Sequence, residues 1–285
     1  MSKDSFYKLC KKAFPRPDSY LAVVTTVMAG ATIFFFSQVF VVIAVTIVFA
    51  IVGKSQEDLE RLFVSPDSYV PKALMLALIM SIMVYMIFRA LNIWDRVETK
   101  LKRLENGNKS KKLNKKHKYS YKDGLKFLRM DKSLGLVDVM EVFAAYGVYV
   151  VSLIVAVFVV SATGTVDVNQ AQDLGVNPPL GVAGVVSVFV MFVVLPPIGE
   201  EILFRGFVFG KIAKHSNIIT AYVLTSLLFG AAHLEFSNLN WVAAIDTLIF
   251  SVFLIAISRR HASLYSAMML HAIKNSVAFV LFLLG

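Results

Sequence analysis

The sequence predicts an all-α fold, a polytopic integral membrane helical bundle of seven to eight transmembrane helices. Three observations predict it. Hydrophobic residues make up 57% of the 285-residue chain and its mean hydropathy is +0.69, above the roughly even balance of soluble domains. Several apolar runs are about as long as the ~20 residues needed to cross hydrocarbon. These runs are uniformly apolar, without the alternation of barrel strands. A chain in lipid must pair its backbone polar groups internally, which leaves helices.

Each element is then read in order. Residues 1–19 carry Lys3, Lys8, Lys11, Lys12 and Arg16 and read as a basic, interfacial helix without a cleavable signal. Residues 20–53 are one long apolar run, interrupted by Gly30 and Gln38, that fits one tilted pass or a hairpin of two. Residues 54–70 are polar, with Glu57, Asp58 and Glu60. A span over 72–94 follows, then the basic stretch 95–134, with Lys-rich pieces at 109–112 and 115–118. Further spans are predicted at 137–161, 180–211, 217–235, 240–258 and 264–284. A polar outer loop is predicted over 162–179. Asp138 and Glu141 open the third span, where a helix N-terminus tolerates acids.

The net charge is +10, but the excess sits between spans. With the N-terminus inside and seven crossings, the basic clusters at 3–16, 96–132, 211–214 and 259–260 all face the cytoplasm, as the positive-inside rule requires. The surplus therefore reads as topology and as contact with membrane lipid, not as nucleic-acid binding. The single cysteine, Cys10, excludes an internal disulfide. The expected location is the cell membrane, multi-pass. Two regions are distinguished: 1–179, an N-terminal membrane region with the cytoplasmic loop 95–134, and 180–285, a helical core that carries the polar motifs described next.

The chemistry concentrates in that last region. Leu195–Gly206 places Glu200, Glu201 and Arg205 in an otherwise apolar run, and ionisable residues at membrane depth are costly and usually functional. Two further patterns follow, Phe229-x-x-x-His233 and His271-x-x-x-Asn275. Residues four apart share a helical face. Glu201 and Arg205 are thus expected to pair, while Glu200 points about 100° away. If these groups converge, Glu200 and His233 can activate a water, with Arg205 favouring the ionised form of Glu200. His271 and Asn275 can offer two N–H donors to a tetrahedral intermediate. On a crude helical ruler His233 lies deeper than Glu200 and His271. Asp246 and Gln38, also within spans, have no named partner, an arginine or backbone being the expectation for Asp246. Phe229 is expected to pack against a neighbouring helix.

EExxxR, FxxxH and HxxxN in this order resemble the CAAX-processing and bacteriocin-processing membrane peptidases, the CPBP (Abi-type) family. The likeness covers about 190–284. It implies a helical bundle with an intramembrane site open to the cytosol. Glu200 would be the catalytic carboxylate and His233 its partner in activating water. His271 and Asn275 would be oxyanion donors, with Glu201, Arg205 and Phe229 in support. It implies no cofactor and no metal. The gap between His233 and His271 holds one span, shorter than in the prenyl-protein endoproteases. The expected partner is a lipidated or membrane-associated peptide or protein, a prenylated CaaX-type C-terminus being one candidate and an apolar leader another. The alternatives are a zinc-dependent metallopeptidase, since two His and a Glu are reasonable ligands, and a non-catalytic scaffold or immunity protein. A proton-coupled transporter is disfavoured because the two halves show no repeat.

Overall fold

The computed structural model describes residues 17–64, 68–105, 120–163, 180–234 and 240–284. The readings of residues 1–16, of the Lys-rich pieces at 109–112 and 115–118 and of most of the loop 162–179 lie outside these residues. Within them the chain is helical: α1 (Pro17–Ile51), α2 (Gln56–Val64), α3 (Tyr69–Glu105), α4 (Tyr121–Phe127), α5 (Leu136–Thr163), α6 (Val182–His215), α7 (Ile218–Ala232), α8 (Trp241–Arg260) and α9 (Leu264–Leu284). Six of these are long and apolar enough to cross a membrane, and α7 is a shorter apolar helix of 15 residues. The chain is a multi-pass membrane protein.

The run at 20–53 resolves into one helix, α1, and not a hairpin. The polar stretch after it contains α2, a short amphipathic helix whose Arg61 reaches back to Glu57. The basic stretch 95–134 is not simply a loop. Helix α3 runs on to Glu105, and α4 is closed by a capping box in which Ser120 and Asp123 exchange hydrogen bonds. Just past α4, Leu128 is fully buried, and the Arg129 carbonyl accepts from the Leu264 backbone N–H. Part of the predicted topology anchor is therefore packed onto the bundle.

The ends of several helices meet on that same side. Glu98 of α3 pairs with Lys214 of α6 at 2.5 Å, Glu141 of α5 pairs with Arg260 and His261, and Lys132 donates to the His261 carbonyl. The basic stretch and the ends of α6 and α8 thus share one end of the bundle, as alternating passes require. Away from it, α1 and α5 expose large apolar side chains such as Phe36, Ile154 and Phe158, the surface that hydrocarbon covers.

Helix α6 is the axis of the assembly. Its second half, Ile202–Val208, is buried at every residue. It packs against α1, α3, α7 and α9. Small residues permit the approach. A Cβ at Gly199 would meet the Met80 sulfur of α3 at 2.1 Å, and one at Gly206 would meet Leu128 at 2.7 Å. The main core joins Ile33 of α1 and Ile87 of α3 with Phe204 of α6 and Phe229 of α7, so helices on both sides of residue 180 build it together.

Candidate active site

Two π-helical segments interrupt α6, Val190–Val194 and Ile202–Val208, and they flank the α-helical turn Leu195–Glu201 that carries both glutamates. Such insertions are rare and frequently occur at functional sites. The first has a cause in the sequence. Pro196 and Pro197 have no N–H, so the Phe192 carbonyl has no donor four or five residues further on. The amide of Asn275 on α9 fills that role, its Nδ2 donating to the Phe192 oxygen at 2.7 Å. The proline pair thereby creates an acceptor that fixes one candidate side chain from another helix.

Glu200 and Glu201, adjacent in sequence, turn to different surroundings. Glu201 has no exposed side chain. Its Oε1 accepts from Arg205 Nη1 at 3.0 Å, as the i, i+4 spacing predicts, and from His271 Nδ1 at 2.9 Å. A carboxylate only accepts, so His271 carries its Nδ1 proton there. The Arg205 guanidinium lies 4.0 Å from the centroid of the Phe229 ring. Phe229, 1% exposed, also contacts the rings of Phe204, His233 and His271. It is core packing, as expected, but the core it packs is the wall of the candidate site. Arg205 bonds Glu201 and not Glu200.

Glu200 turns to a cavity of about 490 Å³. His233, His271 and Asn275 line the same cavity, so the structure brings together all four residues singled out as catalytic candidates. The His233 ring lies with Nε2 3.7 Å from Glu200 Oε2, too far for a hydrogen bond. Its other nitrogen, Nδ1, is 2.8 Å from the Phe229 carbonyl oxygen. That carbonyl can only accept, so Nδ1 donates and Nε2 is left with its lone pair toward Glu200. His233 is the residue that caps the C-terminus of α7, and the carbonyl it satisfies is one of those the helix end frees.

The rest of the wall combines apolar residues with one ion pair. Phe34 of α1, Met80 and Met83 of α3 and Phe282 of α9 supply apolar surface. Asp246 of α8 and Lys274 of α9 supply an ion pair at 2.7 Å. The partner of Asp246 is therefore neither arginine nor backbone. It is Lys274, together with the Tyr149 hydroxyl of α5. Lys274 stands inside the HxxxN pattern and went unread, although a lysine in an apolar span is itself a signal. Gln38 reaches the cavity and bonds the Phe34 carbonyl. Among the described residues no group of three or more His, Cys, Asp or Glu is placed to hold a metal ion.

Comparison with known proteins agrees with the motif resemblance. Residues 182–277 match the family model described as type II CAAX prenyl endopeptidase Rce1-like. That segment holds both glutamates, both cavity histidines and Asn275. No curated protein and no solved structure matches the chain.

Proposed function

We propose, from the premise that residues 182–277 are an Rce1-like domain of the CAAX endopeptidase kind, that this membrane protein is an intramembrane endopeptidase working through a glutamate-activated water. Glu200 and His233 are the water-activating pair. Both present acceptors, the carboxylate oxygen and the Nε2 lone pair, separated by 3.7 Å. A water between them donates one proton to each and turns its own lone pair outward. That is the orientation a nucleophile needs, and loss of a proton to either base strengthens it. The juxtaposition of the Glu200 and His233 side chains, both lining one cavity, is the observation that carries the reading.

The oxyanion that forms is assigned to His271 and Asn275. With Nδ1 committed to Glu201, His271 has its Nε2 left to serve the substrate. That Nε2 donates to the oxyanion when it too carries a proton. Asn275 uses one N–H on Phe192 and keeps the second for the same oxygen. Donors fixed beforehand pay little reorganisation when charge develops. Attack yields a tetrahedral intermediate, and its collapse needs a proton on the leaving amine, which His233 or Glu200 returns. No covalent enzyme intermediate is required.

The substrate is a membrane-associated peptide. The apolar wall built by Phe34, Met80, Met83 and Phe282 suits a lipid chain, and a prenylated CaaX-type C-terminus fits both this wall and the family description. The basic end of the bundle faces the cytoplasm under the positive-inside rule, and access to the cavity from that side of the cell membrane is part of the proposal.

The test is purified protein in detergent with a farnesylated peptide library, read by mass spectrometry. The parent cleaves, and Glu200→Ala and His233→Ala do not. Equal cleavage by all three ends the proposal, and loss of activity on chelation that zinc restores favours a metallopeptidase in its place.

A further inference from the structure

Lys274 is the one lysine or arginine among the described residues lining the cavity. Its Nζ donates to Asp246 Oδ2 at 2.7 Å, and the Tyr149 hydroxyl bonds Oδ1. The ring centroids of Phe250 and Tyr149 lie 4.7 and 5.7 Å from the ammonium. An ammonium has three donors. Asp246 takes one, and aromatic faces attract the cation without accepting a conventional hydrogen bond. Tyr149 matters because it keeps Asp246 hydrogen-bonded while Lys274 shares its charge with something else.

We propose that Lys274 is a specificity-determining residue, the anchor for a free carboxylate at the substrate's C-terminus. An anion in an apolar cavity is costly unless paired. Of the other groups on this wall, Glu200 and Asp246 repel a carboxylate, His271 is held by Glu201 and assigned to the oxyanion, and His233 donates its Nδ1–H to the Phe229 carbonyl. Position agrees with charge. Lys274 shares one turn of α9 with His271 and Asn275, about 5 Å of rise. A carbonyl held by the latter two and a carboxylate held by Lys274 are thus within a few residues of each other along an extended peptide, which rises roughly 3.4 Å per residue. The scissile bond is then close to the chain end, and the leaving fragment is short. Asp246 and Tyr149 act through Lys274 as positioning residues.

The cleavage arm of the test rests on the peptidase reading above, and the binding arm does not. The probes are a farnesylated nonapeptide ending in a free carboxylate and the same peptide as its C-terminal amide. Binding is measured on the Glu200→Gln chain, cleavage on the parent. The acid is preferred over the amide by about tenfold or more, the size of one charge-assisted hydrogen bond, and the preference in kcat/KM is carried by KM. Lys274→Met with Asp246→Asn, which removes both charges and leaves no lone buried acid, abolishes the preference of acid over amide in binding and in KM. Lys274→Arg retains it. If the double variant slows acid and amide alike with the preference intact, the pair is structural and the anchor is refuted. Equal binding of the two peptides refutes it as well. If the parent cleaves neither peptide yet binding prefers the acid through Lys274, the peptidase reading falls and the anchor stands.

Discussion

The chain contains two Glu–Arg pairs of identical spacing, and they teach different things. On α2, Glu57 and Arg61 meet at 2.8 Å with side chains 72% and 70% exposed. On α6, Glu201 and Arg205 meet at 3.0 Å with both side chains fully buried. Spacing makes the pair in each case, because residues four apart share a face. Surroundings decide what the pair does. The first is solvated, screened by salt, and holds nothing else. The second has been taken out of water at a cost that its own Coulomb attraction need not recover. What it obtains is position: the same Glu201 oxygen that binds Arg205 binds His271, and the Arg205 plane rests on Phe229, whose carbonyl orients His233. The buried pair is a fixed charge that aims two imidazoles.

The largest effect expected belongs to the residue beside that pair. Glu200→Gln keeps volume and removes the proposed base, so turnover should fall by about 10⁴-fold, roughly 5 kcal/mol of barrier. The melting temperature in detergent should hold, since Glu200 Oε2 has no hydrogen-bond partner to lose. Residual turnover near the parental rate would detach the buried pair from any chemistry. Glu201→Ala reverses the pattern. It strands a buried guanidinium and should cost about 4 kcal/mol of stability, seen as a lower melting temperature, with activity lost as well because His271 is released. A variant that is stable but inactive would mean that Glu201 touches the substrate and that its partnership with Arg205 is incidental.

How much of this was legible in the sequence depends on what each residue's partner is. The Glu201–Arg205 pair lies within one helix, so spacing alone carries it. The convergence of Glu200, His233, His271 and Asn275 needs tertiary packing of three helices, and counting residues along each helix cannot supply it, His233 sitting just past the last turn of α7. Asp246 was visible as a charge without a partner, but Lys274 and Tyr149 lie on two other helices, and nothing local marks the pairing. The Phe192–Asn275 bond is intermediate. Pro196 and Pro197 state that a carbonyl is orphaned, yet not which helix supplies the donor. The interior of the basic stretch was read as loop because its charge dominates, while Leu128, the residue that docks it, is one of several leucines scattered among lysines and carries no local mark.

That orphaned carbonyl supplies the next prediction. Asn275→Ala removes the proposed oxyanion donor and the bond to Phe192 together, and should lower kcat about 10²-fold, close to 3 kcal/mol. Asn275→Asp, which offers no N–H when ionised, should not restore it, whereas a donor used only for structure would be replaced by Gln or His with partial recovery of stability and full recovery of rate. A smaller effect follows one turn from the glutamates. Gly206→Ala puts a methyl 2.7 Å from Leu128, and since Leu128 is fully buried the segment carrying Arg205 must shift. Overpacking of this kind costs about 2 kcal/mol, and thermal melts of the variant with and without Leu128→Ala should show partial compensation.

The smallest effect is expected at the exposed pair, and it is the one that sharpens the comparison. Glu57→Ala removes a contact worth about 0.3 kcal/mol on a solvated helix face, and the freed Arg61 remains hydrated, so no buried charge is left behind. Melting temperature and peptide cleavage should both stay within scatter of the parent, and raising the salt should erase what difference there is. Its residue types, spacing and distance match the buried pair, which makes it a control for everything except environment. Were Glu57→Ala to destabilise the chain as strongly as Glu201→Ala, the distinction between a solvated support and a buried scaffold would fail. Helix α2 would then have to be doing something at its exposed face, such as holding an anionic headgroup with Arg61, that its contacts to the bundle do not explain.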